Sequence, residues 1–204
     1  MRLEISGIAV RFKNRVVFDD FSAVFGSGLT AIMGPSGSGK STLLSVIAGH
    51  LVPQKGHVVL PRPESRVDWI VQSAPVLWRR SALDNVMLGP LSAGASHHLA
   101  RQSALSAMTL VGVDELATTP AFQLSGGERQ RIAVARAIGT GSDVILADEP
   151  TASLDPGSRE AVCDALERAG TSGRVVLVAT HDAYVRDRCQ STLAIERMSG
   201  GTGQ

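Results

Sequence analysis

Between a short apolar run, Leu29–Met33, and an amphipathic stretch, Ser41–His50, lies the octet Gly34-Pro35-Ser36-Gly37-Ser38-Gly39-Lys40-Ser41. It satisfies GxxxxGK[ST] and is expected to join a strand to a helix. The glycines let the backbone curl so that successive N–H groups face inward, where they meet phosphate oxygens. The helix that follows adds the positive end of its dipole to the same place. Lys40 supplies a point charge for the β- and γ-phosphates, and Ser41, with Thr42 beside it, supplies a hydroxyl for Mg2+. Lysine is scarce here, with only Lys13, Lys40 and Lys55 among 20 basic residues, so chance rarely produces this pattern.

A loop of this kind needs a carboxylate at the end of a nearby buried strand. Val144–Ala147 is a continuous apolar run of the sort found in buried parallel strands, and Asp148 and Glu149 follow it. Two adjacent acids beside a phosphate site are costly unless a cation and a reaction use them. The natural division assigns Asp148 to Mg2+ and Glu149 to the attacking water, as base.

Elsewhere short β-rich runs alternate with helical patterns. Leu3–Val10, Phe21–Phe25, Val58–Leu60, Val67–Val71 and Val175–Ala179 read as strands, and Glu128–Ile138 and Glu160–Ala169 as helices. From Ser81 to Val113 there is no convincing strand, only helical spacing at Leu99, Leu105, Met108 and Leu110. The expected fold class is α/β with a mostly parallel sheet. We expect one domain over residues 1–204, with a helical lobe at about 78–124 inserted into it. The tail Ser199–Gln204 is expected to fray.

Composition excludes several alternatives. The 204 residues are 44% hydrophobic, enough for a well-buried core, and the net charge of +1 argues against a nucleic-acid binder. Cys163 and Cys189 stand far apart without metal-ligand spacing, so a disulfide scaffold or zinc site is not expected and a reducing compartment fits. No apolar run approaches the roughly 20 residues of a membrane-spanning helix. Glu4 interrupts the apolar N-terminus, which therefore does not read as a signal peptide. A soluble chain is expected.

At Leu124-Ser125-Gly126-Gly127-Glu128 the sequence resembles the ATP-binding-cassette (ABC) ATPases, whose hallmark is this LSGG signature. Ser125 can cap a helix, and the two glycines expose backbone ahead of it, making a second anion-seeking terminus. Ser125 lies 85 residues after Lys40, and Asp148 lies 23 after Ser125, in the family's order. The resemblance spans roughly residues 2–198. It implies a P-loop NTPase core with a small antiparallel β subdomain and an inserted helical subdomain. That β subdomain is expected to be trimmed, because Gly56 and Gln72 are separated by only 15 residues.

The resemblance also assigns roles. Gln72 matches the Q-loop glutamine that approaches Mg2+ and water, and Ser153-Leu154-Asp155 matches the interface-crossing D-loop. His181 matches the switch histidine that contacts the γ-phosphate, and Phe12 the aromatic that stacks on adenine, although an ordinary core aromatic is as common at such a position. Two cassettes are implied to meet head-to-tail, each signature (Ser125, Gly126, Gly127, Glu128) closing over the partner's ATP. Transport would then need a separate membrane permease docking near Ala74–Leu88, with Trp78, Arg79, Arg80, Asp84 and Asn85, which places the subunit on the cytoplasmic face of the membrane. The run RRSALDNVMLG looks most like macrolide-export and lipoprotein-release ATPases. With 23 residues after His181 there is no room for an importer's regulatory domain, so export is expected over import. The alternatives are an ABC ATPase doing non-transport mechanical work, as in iron–sulfur assembly or division, and a GTPase or small-molecule kinase, which would leave LSGGE unexplained.

Overall fold

The computed structural model describes residues 1–13, 15–152 and 154–196. Ser153 of the expected D-loop and the tail Ser199–Gln204 lie outside them. In chain order the strands are β1 (Arg2–Phe12), β2 (Arg15–Gly26), β3 (Gly28–Met33), β4 (Lys55–Val59), β5 (Val67–Ile70), β6 (Val144–Asp148), β7 (Val175–Ala179) and β8 (Ser191–Ala194). The helices are α1 (Lys40–Ile47), α2 (Ala82–Ser92), α3 (His97–Leu110), α4 (Gly126–Thr140), α5 (Pro156–Thr171) and α6 (Ala183–Asp187).

Five strands form a parallel sheet in the order β5-β6-β7-β3-β8. Its central members, β6, β7 and β3, are apolar apart from Thr30 and the terminal Asp148, because both faces are covered. Strand alternation divides them between two cores. Val144, Leu146, Val175 and Leu177 face Leu43, Leu44 and Ile47 of α1 together with Leu3, Ile5 and Ile8 of β1. Ile145, Ala147, Val176 and Val178 face the other way, toward α4, α5 and the 82–124 helices. The smaller sheet, β2-β1-β4, is antiparallel, and its β1–β2 register ends on the pair Phe12↔Arg15. That hairpin end reaches the octet loop.

Differences from the sequence reading have physical causes. β2 begins at Arg15 rather than Phe21, because Asp19 and Asp20 interrupt the apolar alternation, and Asp20 takes a positive φ of 56° in an irregular pairing. β8 and α6 were not expected at all. They are four and five residues long, and β8 is polar and largely exposed at a sheet edge.

In α3 the buried face is Ala100, Ala104, Ala107 and Met108, while Leu99 is 55% exposed. Small side chains there let the helix axes approach, and Gly139 of α4 lies against Ala107. Gly89 of α2 serves the same end, since a Cβ there would lie 2.7 Å from the Arg136 carbonyl oxygen of α4.

A polar hub sits between these helices. Asn85 is fully buried; its Oδ1 accepts from the Leu77 N–H (2.7 Å), and its Nδ2 donates to the carbonyls of Leu77 (3.1 Å) and Ser81 (3.0 Å). Arg136 donates to the Asn85 carbonyl at 2.8 Å and to the Pro75 carbonyl at 3.1 Å. Asn85 and Arg136 together fix residues 75–81 to α2 and α4.

Candidate functional site

The octet wraps the C-terminal end of β3, flanked by β7 and β8. Thr180 N–H donates to the Ile32 carbonyl at 3.1 Å, and Ile195 N–H to that of Met33 at 2.7 Å, so both neighbouring strand ends buttress the loop. Gly39 has φ 108°, and a Cβ on it would lie 2.7 Å from Val17 Cγ1 of β2, so glycine is required there on both counts. Lys40 donates to the carbonyls of Gly34 (2.7 Å) and Pro35 (3.2 Å), spanning the loop's mouth.

Helix α1 begins differently from the others. Among the described residues, α2 to α6 each begin with a Ser or Asp whose side chain accepts a backbone N–H. Gly39 gives α1 no such cap, and no acid lies in its first turn. Its first N–H groups are thus left for an anion.

Asp148 ends β6, and Glu149 turns into the left-handed region with φ 48°. A non-glycine residue there is strained, and such strain collects at functional sites. It is held by its N–H to the Ala179 carbonyl (2.9 Å), by Thr180 Oγ1 at 3.3 Å from Oε2, and by His181 Nδ1 at 2.7 Å from Oε1. An ionised carboxylate only accepts, so Nδ1 carries the proton. Hydrogen bonding to Glu149 and its charge raise the His181 pKa above the ordinary histidine value.

These groups share one cleft of about 800 Å3. Phe12, Gly34, Pro35, Ser36, Gly37, Gly39, Lys40, Ser41, Thr42, Gln72, Asp148, Glu149 and His181 all line it. Ser38 is buried behind them. Two lining residues escaped the sequence reading, Arg15 and Val17. The Arg15 guanidinium donates to the Gly37 carbonyl, pinning the loop from the hairpin end. Only its pairing with Phe12 across a strand turn could have signalled it.

The signature residues do not line this cleft. Ser125 caps α4: its Oγ accepts the Glu128 N–H at 3.2 Å, and Glu128 Oε2 accepts the Ser125 N–H at 2.7 Å. The Ser125 N–H first, and then the Ser125 hydroxyl, hold the Glu128 carboxyl below its ordinary pKa. Asp155 caps α5 in the same way, through Ser158 N–H at 3.0 Å, and also lies outside the cleft.

For a metal, the cleft offers the Ser41 hydroxyl, the Gln72 amide and the Asp148 carboxylate. No cluster of three or more His, Cys, Asp or Glu suited to a metal occurs among the described residues. Few protein oxygens beside a phosphate cradle suit Mg2+, which keeps waters and takes substrate oxygens as ligands.

Residues 22–152, well over half of the chain, match the ABC transporter family. The chain belongs to that family. This ABC cassette is 41% identical over 173 residues to the phosphonates import ATP-binding protein PhnC 2 of Rhodopseudomonas palustris, covering 76% of the chain and 61% of that protein. It is 33% identical over 209 residues to the taurine import ATP-binding protein TauB of Yersinia pestis, covering 99% of the chain and 81% of the relative. To the macrolide export ATP-binding/permease protein MacB of Burkholderia pseudomallei it is 33% identical over 212 residues, covering 95% of the chain but only 32% of MacB. The cassette thus spans less than two thirds of the phosphonate and macrolide relatives.

Its fold superposes on the dimeric bacterial ABC transporter cassette MJ0796 with a TM-score of 0.85, at 26% identity and covering 96% of this chain and 94% of that one. A post-hydrolysis dimer of MJ0796 bound to ADP and Pi matches with a TM-score of 0.84, also at 26% identity, over 97% of both chains. The cassette has the ABC ATPase fold. Relatives named for import and for export match over comparable spans, so the expectation of export gains no support over import.

Proposed function

We propose that this cassette binds MgATP in the Lys40 cleft, pairs head-to-tail with a second copy and hydrolyses the ATP to drive a separate membrane permease. One observation carries the reading. Lys40, Asp148, Glu149 and His181 converge on one cleft, while the signature end of α4, capped by its own Ser125 and Glu128, does not line it. A copy turned head-to-tail brings that end over the nucleotide.

Phe12, 48% exposed at the cleft, offers its ring face to adenine. Lys40 exchanges its carbonyl partners for phosphate oxygens, and the α1 N–H groups take the rest. Bound Mg2+ would offset charge on the β- and γ-phosphates, held by Ser41, Gln72 and, through water, Asp148. Water attacks the γ-phosphorus as the bond to the bridging oxygen breaks; Glu149 accepts the water's proton and ADP leaves. His181, tied to Glu149 through Nδ1, keeps Nε2 for a γ-phosphate oxygen. ATP binds the closed pair better than the open one, so hydrolysis releases the pair and does work.

The permease contact falls on the exposed part of Ala74–Leu88. Leu77, Trp78, Arg79 and Arg80 are accessible there, with Arg129 stacked over Trp78 at 5.1 Å. Asn85 and Ala74 are buried and do not belong to that surface. Residence at the cytoplasmic face of the membrane follows from that contact. Among the described residues no helix is long and apolar enough to cross a membrane.

The test uses Glu149→Gln with saturating ATP and Mg2+ under light scattering. A doubling of mass that ATP induces and GTP does not is expected, with turnover lost relative to the wild type. A variant that stays monomeric overturns the head-to-tail pairing. Capture of a permease subunit from membranes by the ATP-trapped variant tests the transport role, and its absence counts against it.

A further inference from the structure

A second, smaller cavity adjoins the cleft, sharing Glu149 and His181 with it and lined beyond them by Leu154, Arg159 and Asp182. It holds a charged side chain that the proposed reaction does not use. Arg159, on the first turn of α5, extends Nη1 to within 3.2 Å of Asp182 Oδ2, while its guanidinium stacks over the Tyr184 ring at 4.5 Å. Its Nε is buried without a partner among the described residues. A planar guanidinium clamped between a carboxylate and an aromatic face has little freedom to reorient.

Asp182 directly follows His181 and is itself over-determined. Its N–H donates to Thr180 Oγ1 at 3.0 Å, and its Oδ1 accepts the Tyr184 N–H at 2.8 Å. Thr180 and His181 in turn hold the two oxygens of Glu149. Arg159 therefore grips the residue on the far side of His181 from the Thr180–Glu149 contact.

The other end of this line lies on the surface that would meet a second copy. Arg159 N–H donates to the Asp155 carbonyl at 2.9 Å, so the D-loop carboxylate and the guanidinium share one helical turn. Next to Asp155, Leu154 packs against the signature, its Cδ2 lying 3.2 Å from where a Gly127 Cβ would stand. Contacts thus run without a break from Gly127 through Leu154, α5 and Arg159 to Asp182, His181 and Glu149.

We infer that Arg159 is a positioning residue, transmitting the placement of the signature and D-loop through Asp182 to the His181–Glu149 pair. It touches neither nucleotide nor water; it sets the pair's alignment, which matters for turnover and not for ATP binding. This rests on the reading of Glu149 and His181 given above. A purely structural Arg159 would lower stability and affinity together, whereas misalignment of a reacting pair costs turnover selectively.

The experiment measures steady-state ATPase in wild type, Arg159→Met, Arg159→Lys, Asp182→Asn and the Arg159→Met/Asp182→Asn double variant, with Glu149→Gln and His181→Ala as references. In Arg159→Met, kcat is expected to fall on the order of tenfold or more with KM within about threefold. Lysine, which keeps the charge but not the stack, should restore part of it. The double variant should be no slower than the worse single one, as expected for residues acting as a unit. ATP-induced pairing of the Glu149→Gln/Arg159→Met variant should survive, which certifies folding. Arg159→Met with kcat within twofold of wild type, while both references lose turnover, overturns this inference alone. So does an equal loss in kcat and ATP affinity. Full turnover in both references overturns the reading beneath it, and the inference with it.

Discussion

His181 Nδ1 lies 2.7 Å from Glu149 Oε1, although the imidazole is 77% exposed and the carboxylate only 15%. A solvated ring is thus tethered to an acid fixed by strained backbone. The ring's pKa is raised, first by the hydrogen bond and then by the charge of Glu149. For a raised histidine the ion pair is fully formed below the unfolded-state pKa and is lost as pH climbs through the folded-state value. We predict that the His181 ring resonances titrate above the ordinary histidine value in an NMR pH series. Glu149→Gln should bring the midpoint down toward the ordinary value, and an unchanged midpoint would break the assignment.

Asn85 gives a stability prediction of the opposite kind, because it is wholly buried. Alanine there strands the Leu77 N–H, takes one of two donors from each of the Leu77 and Ser81 carbonyls, which keep the Arg80 and residue-85 N–H groups, and removes an acceptor from Arg136, whose guanidinium is itself desolvated. One stranded donor costs about 1–3 kcal/mol and the other lost bonds of the buried amide add to it, so a loss of about 2–4 kcal/mol is expected. Urea unfolding of Asn85→Ala measures it; a loss under about 1 kcal/mol would show that water replaces the amide.

Both cysteines should be inert. Burial pushes the Cys163 and Cys189 thiols up to about 11. At pH 8 roughly one thiol in a thousand would then be ionised, and the thiolate is the form that reacts. Iodoacetamide followed by mass spectrometry should label neither position appreciably in the native protein and both in denaturant. Rapid native labelling of Cys163 would contradict its burial.

How much of this could be read from the sequence depends on where the information lies. The octet, the Val144–Glu149 strand end and the Ser125 cap were legible because each is a local pattern whose physics needs only its neighbours. Their meeting in one cleft follows from strand order, which the β3–β7–β6 pairing decides and no local pattern displays. On α3 the periodic signal is right for Met108, which is buried, and in part for Leu105 and Leu110, which pack against the core, but it points wrongly to the exposed Leu99 and misses the alanines that let α4 approach. Asn85 was misassigned to a docking surface because a polar residue reads as exposed until its partners, Leu77, Ser81 and Arg136, are assembled in space. Arg159 and Asp182, 23 residues apart, have no signal at all outside the fold.

Gly39 tests the loop itself, with Gly141 as its control. Both have positive φ, 108° and 77°, so alanine strains the backbone at either position. Around Gly141 a Cβ meets nothing within 4 Å, whereas at Gly39 it would sit 2.7 Å from Val17 Cγ1 and 3.0 Å from Phe18 Cζ. Gly141→Ala should therefore cost about 1 kcal/mol, the ordinary price of a left-handed alanine. Gly39→Ala adds overpacking of about 1–3 kcal/mol and must push β2 away from the first turn of α1. That shift moves the N–H groups that are to hold phosphate, so ATP affinity should fall along with stability. Thermal unfolding and nucleotide titration on both variants separate the two effects. If Gly39→Ala binds ATP as tightly as Gly141→Ala does, the packing of β2 against the loop does not set the phosphate cradle.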